Sequence, residues 1–161
     1  MCYKNNLQKV ECQNGNDWVK NEIGGVYRIS QAFKLARPLF STRVSAGFPS
    51  PAEDYIEGRI DLNRELIRHP LATFYVRVIG DSMEPRIYAG ELLIVDRMME
   101  TKDDSIVVAR LGSELCVKRL RFGDNGDVWL ISENPDYKPI HVTEEMEFEV
   151  WGRVLHSIKS H

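Results

Sequence analysis

The sequence predicts a mostly β protein: a compact, antiparallel, β-rich body, preceded by short helices and a mobile leader. Three observations carry that expectation. Short runs dense in β-branched and aromatic residues recur from residue 73 to the C-terminus. Clusters of Gly, Asn and Asp separate them at hairpin spacing. Residues 1–46, by contrast, show no sustained helical or alternating pattern.

Taken in order, residues 1–46 are rich in Asn, Gln, Gly, Lys and Ser, with Gly24 and Gly25 side by side, and read as a leader that does not fold alone. Within it, Ser30 is placed to cap a helical turn over Gln31 to Arg37, with Phe33 and Ala36 on one side and Pro38 as the stop. Ser41 to Ser50 combines small and β-branched residues with a proline and should be extended and accessible. Ser50-Pro51-Ala52-Glu53 sets a capping serine before a proline and a glutamate, which predicts a short helix with Tyr55, Ile56 and Ile60 as its apolar face. Asn63 should cap a second helical turn carrying Leu66 and Ile67, ended by Pro70.

Strands are predicted from there on. Thr73 to Ile79 and Glu91 to Val95 are short apolar runs, the second set off by Gly90. Ser105 to Arg110 and Leu115 to Leu120 flank Leu111-Gly112-Ser113-Glu114, and Asp124-Asn125-Gly126-Asp127 precedes Val128 to Ser132. Both are hairpin signals. Phe148 to Ile158 reads as one further strand or a pair, bent at Gly152.

Composition excludes several functions. No apolar run approaches the roughly 20 residues that span a bilayer, and the first residues lack the apolar stretch of a secretory signal, so a cytoplasmic protein without a membrane partner is expected. Cys2, Cys12 and Cys116 are odd in number and lack paired or metal-type spacing, which points to no disulfide framework, no metal and no cofactor. The net charge of -3 is unevenly spread: residues 1–46 hold seven Lys/Arg against three Asp/Glu, and the rest hold fourteen against twenty-one. An acidic body is a poor general binder of polyanions, so direct DNA contact would need the basic leader.

The chemistry-bearing residues are Ser82 and Lys118. Gly80-Asp81-Ser82-Met83 follows a strand, and a glycine there permits a sharp turn that presents the serine hydroxyl. Alternation in Leu115 to Leu120 puts Lys118 on the face of Cys116 and Leu120, opposite Leu115 and Val117. An amine among apolar neighbours is favoured in its uncharged form, and an uncharged amine can accept a serine's proton. Spacing alone also allows a plain turn serine and a lysine pointing to solvent from an edge strand. His69, His141 and His156 are the rival bases for a serine triad. Their contexts, a helix-ending turn, a loop and a strand, fit structural roles.

Five motifs in order, Ala46-Gly47-Phe48-Pro49-Ser50-Pro51, Asp61-Leu62-Asn63, Gly80-Asp81-Ser82-Met83, Leu93-Ile94-Val95-Asp96 and Val117-Lys118-Arg119-Leu120, closely resemble the UmuD family, relatives of the catalytic domain of LexA-type repressors. The likeness covers about residues 46 to 158. It implies a LexA-type catalytic domain over residues 47–161 and a leader over 1–46 removed by self-cleavage between Ala46 and Gly47. Ser82 would be the nucleophile, Lys118 the general base, and the backbone N–H groups of Asp81 and Ser82 the oxyanion donors, with Met83 packed beneath. It further implies a homodimer in the SOS response to DNA damage, cut when it meets a RecA filament on single-stranded DNA and then joining a UmuC-type translesion polymerase subunit. A damage-responsive, LexA-like transcription regulator using its basic leader is the alternative. A leader of 46 residues is long for a typical UmuD, yet no helix-turn-helix can be assembled from it.

Overall fold

A computed structural model of the protein describes residues 23–28, 35–40 and 56–161. Its strands are β1 (Ile23–Arg28), β2 (Arg37–Phe40), β3 (Ile56–Ile60), β4 (Thr73–Val78), β5 (Leu92–Asp96), β6 (Ile106–Leu111), β7 (Glu114–Phe122), β8 (Val128–Ile131), β9 (Ile140–His141) and β10 (Phe148–Ile158). A short helix, α1 (Leu62–Leu66), follows β3. The mostly β expectation holds. The described residues divide into two units, one of β1 with residues 69–161 and one within residues 31–68.

In the first unit, eight strands form an antiparallel sheet in the order β1-β4-β5-β10-β6-β7-β8-β9. The β6–β7 hairpin turns at Gly112-Ser113, and the β7–β8 hairpin is closed by the Gly123 N–H donating to Asp127 O at 2.8 Å, both where turn residues predict them. Phe148–Ile158 is a single strand whose first half pairs with β6 and whose second half pairs with β5. The changeover falls at Gly152 and Arg153, and the ladder shifts register between Val150 and Gly152. Glycine is required there by proximity: a Cβ on Gly152 would lie 2.7 Å from Val95 Cγ1.

This diagonal strand lets the twisted sheet curl on itself. β4 and β7, with three strands between them in the ladder, meet in one apolar cluster of Val76, Val78, Met83, Ile87, Leu93, Val95, Val108 and Val117. A second cluster, Val107, Ala109, Cys116, Leu120 and Leu130, fills the other side of β6 and β7. Alternation along β7 therefore sends Val117 to one core and Cys116 and Leu120 to the other, as the sequence predicts.

On β4, burial pushes the Tyr75 phenol above its ordinary value of 10.0. The folded chain keeps this proton at a pH where the unfolded chain loses it, so the contribution is fully present below the unfolded value and is lost as pH rises through the folded one. Denaturant melts taken between about pH 8 and about pH 11 should lose midpoint at the alkaline end, and Tyr75→Phe should lessen the loss.

In the second unit, β2 and β3 form an antiparallel ribbon pairing Arg37 with Ile60 and Leu39 with Gly58. Here the sequence reading is corrected twice. Ile56 to Ile60 is a strand and not the apolar face of a helix, and Arg37 begins a strand and does not end a helical turn. Capping signals are local, whereas these segments acquire their ladder from each other across about 20 residues. Pro38 is tolerated because a two-stranded ribbon is all edge. α1 starts two residues earlier than predicted: Asp61 is the cap, its carboxylate accepting from Asn63 N–H at 3.1 Å, and Ile67 is already extended. β1 likewise forms in a segment read as patternless. Ser30 to Lys34 and the cap at Ser50 to Glu53 lie outside the described residues.

Candidate active site

Ser82 stands in the turn that leaves β4. Gly80 takes φ of 89°, a conformation disfavoured for residues with a Cβ, and reverses the chain just past the strand end. The Glu84 N–H donates to Asp81 O and the Ile87 N–H to Met83 O, while Met83 and Ile87 are anchored in the first core. The serine is thus held by a turn whose far side is packed.

Lys118 comes from the middle of β7, opposite Val107 on β6. Its Nζ donates to Ser82 Oγ at 2.8 Å, and only 4% of the lysine and 3% of the serine are exposed. The curl that brings β7 to β4 creates this contact between residues 36 positions apart. The aromatic ring of Tyr137 lies beside the amine, its centroid 6.0 Å from Nζ.

The loop after β8 supplies a brace that sequence reasoning missed. The Asn134 N–H donates to Ser82 O at 2.9 Å, Asn134 Nδ2 donates to Asp81 O at 3.2 Å, and the Tyr137 hydroxyl donates to Asp81 Oδ1. Carbonyls on both sides of the Asp81–Ser82 peptide are thereby tied down. Among the described residues the Ser82 N–H has no acceptor. Asn134-Pro135-Asp136 reads in sequence only as a turn signature, and nothing local says which carbonyls it grips.

The rival histidines are engaged elsewhere. His69 Nδ1 sits 2.7 Å from Asp96 Oδ2, and Asp96, fully buried, also accepts from the Met98 and Met99 N–H groups. His141 lies in β9, not in a loop, 3.3 Å from Asp127. His156 is an exposed residue of β10. None of the three is hydrogen-bonded to Ser82 among the described residues. Ala46 and Gly47 lie outside the described residues. No described helix is long and apolar enough to cross a membrane.

A buried serine hydroxyl joined to a buried amine is the arrangement of serine peptidases that use lysine in place of histidine. A family model described as Peptidase S24-like matches residues 38–155. The chain belongs to the Peptidase S24-like family. Protein SamA of Salmonella typhimurium (strain LT2) is 42% identical over 124 residues, covering 76% of this chain and 87% of the relative. Protein MucA of Escherichia coli is 40% identical over 126 residues, 77% of this chain and 85% of the relative. LexA repressor 1 of Pseudomonas putida is 41% identical over 112 residues, 68% of this chain but 54% of the repressor. This S24-like chain is of the UmuD type, a serine peptidase of the self-cleaving kind on a LexA-type β-rich domain.

Proposed function

We propose that the chain cuts its own backbone between Ala46 and Gly47, using Ser82 as nucleophile and Lys118 as general base, in the SOS response to DNA damage. The observation that carries this reading is the buried 2.8 Å contact between Lys118 Nζ and Ser82 Oγ. With the amine uncharged, the same contact lets the hydroxyl proton pass to nitrogen as Oγ attacks the Ala46 carbonyl. The resulting oxyanion is met by the N–H groups of Asp81 and Ser82, which the Asn134 brace holds in place. The protonated amine then gives its proton to the Gly47 nitrogen as the peptide bond breaks, and water releases the acyl group from Ser82. The small side chains at Ala46 and Gly47 let the carbonyl approach closely. Residues 1–46 leave as the leader and residues 47–161 remain as the processed domain.

Cutting is stimulated by a RecA filament on single-stranded DNA, and the processed homodimer serves a UmuC-type subunit in error-prone translesion synthesis. The similarity to SamA and MucA over most of their lengths supports a protein of the UmuD type, and the chain spans about half the length of LexA repressor 1. The test is intact mass and N-terminal determination after incubating the full chain with RecA, nucleotide and single-stranded DNA. A product beginning at Gly47 is expected.

A further inference from the structure

An open cleft of about 460 Å³ lies in the first unit, away from the Ser82 hydroxyl, between the segment that follows the serine turn, the start of β6 and the second half of β10. Its charged lining is three arginines, Arg86, Arg119 and Arg153, against one carboxylate, Asp104, with His156 beside them. The carboxylate is already neutralised: Asp104 Oδ1 is 3.1 Å from Arg119 and 2.8 Å from Arg121, and Arg119 is further paired with Glu133. Two guanidiniums are left without a carboxylate among the described residues. Among the described residues the Arg153 guanidinium donates only to the Glu100 carbonyl, at 3.0 Å, and the Arg86 guanidinium makes no hydrogen bond or ion pair.

A third donor faces the same space. Ser105 is 6% exposed and its Oγ accepts from Lys102 N–H at 3.0 Å, which leaves the hydroxyl proton available to a ligand. Cationic forks, a buried hydroxyl and an imidazole together match a group with several acceptor oxygens. A carboxylate saturates one fork, whereas a phosphate presents three oxygens to separate donors. The volume is far more than a bare phosphate fills and lies in the range of small-molecule sites. Ile87, Ile106, Val154 and Leu155 give the mostly polar lining a smaller apolar strip, which an organic body attached to the phosphate can meet. Residues 47–161 carry fourteen Lys/Arg against twenty-one Asp/Glu, so a long polyanion would be repelled by the surroundings of a site that a compact one can enter.

We propose that this cleft is a binding site for a compact phosphate monoester of mononucleotide size. It is independent of the self-cleavage reading, and its test does not use cleavage. Calorimetric titration of the full chain with adenosine monophosphate should show saturable binding, one per chain, with inorganic phosphate competing more weakly and adenosine not competing. Arg86→Gln and Arg153→Gln should each weaken adenosine monophosphate binding by about tenfold, the effect of losing one charge-assisted contact. Arg86 is exposed and its guanidinium makes no hydrogen bond or ion pair among the described residues, while its backbone N–H bond to Met83 O is unaffected by the side chain, so its variant keeps the fold, which circular dichroism checks. Unchanged affinity in Arg86→Gln overturns the site, as does the absence of saturable binding. Inorganic phosphate binding as tightly as the nucleotide overturns the assignment of an organic body to the apolar strip. A thymidine oligonucleotide that binds more tightly than the mononucleotide and weakens equally in Arg86→Gln overturns the compact ligand in favour of a nucleic-acid strand.

Discussion

Replacing Ser82 with alanine should leave the full chain uncut under conditions that convert the parent chain to a fragment beginning at Gly47. Removing the attacking oxygen from a serine peptidase lowers its rate by about 10⁴-fold or more, because the oxyanion donors and the positioning of the bond cannot form the acyl-enzyme alone. Lys118→Met should be as inactive for a different reason. The thioether has similar length and fills the same space beside Val107 but cannot take a proton. Its stability is the more telling readout. Exchanging a buried amine for an apolar chain of like volume is neutral or stabilising in general, so this variant should melt at or above the parent while remaining uncut. Intact mass and thermal melts on the same samples separate a lost base from a lost fold. A Ser82→Ala chain that still yields the Gly47 fragment at the parent rate would end the proposed mechanism.

Gly152→Val should be the most damaging single change to the fold. A Cβ at this position meets Val95 Cγ1 at 2.7 Å and Asp96 O at 3.3 Å, and the valine methyl groups add further overlap. Neither neighbour yields easily. Val95 is fully buried and belongs to the first core, and Asp96 is fixed by His69 and by two backbone N–H groups. Overpacking of this kind costs about 3 kcal/mol, which for a domain of this size lowers the melting temperature by roughly 10 °C. Because Gly152 marks where β10 trades β6 for β5, the strain falls on the diagonal that curls the sheet. Gly58→Val is the control: no atom lies within 4 Å of a Cβ there, and its effect should be small.

The sequence was legible wherever structure is decided by near neighbours. β4 to β8 and β10 follow from β-branched runs and from turn residues at Gly112 and Gly126, and Ser82 and Lys118 stand out because each sits in a strand context that gives it a direction. It was misleading where the deciding partner is distant. Ile23–Arg28 becomes a strand by pairing with Phe74 to Val78, about 50 residues on, and no periodicity within the segment announces that. Ile56–Ile60 carries apolar residues at a spacing that suits a helix as well as a ribbon, and its pairing with Arg37–Phe40 settles the matter. Asn134 and Tyr137 were invisible for the same reason: their roles lie in the carbonyl and carboxylate of a turn more than 50 residues earlier.

The position of β1 changes what a cut after residue 46 accomplishes. Ile23–Arg28 is upstream of the proposed cut yet is laced to β4 by a backbone ladder from Ile23 and Val78 to Arg28 and Phe74. Scission at that bond would therefore leave a nicked, two-piece complex held by this ladder. Departure of the upstream piece would be a separate step governed by dissociation, and it would convert an interior strand of the sheet into a bare rim of main-chain donors and acceptors.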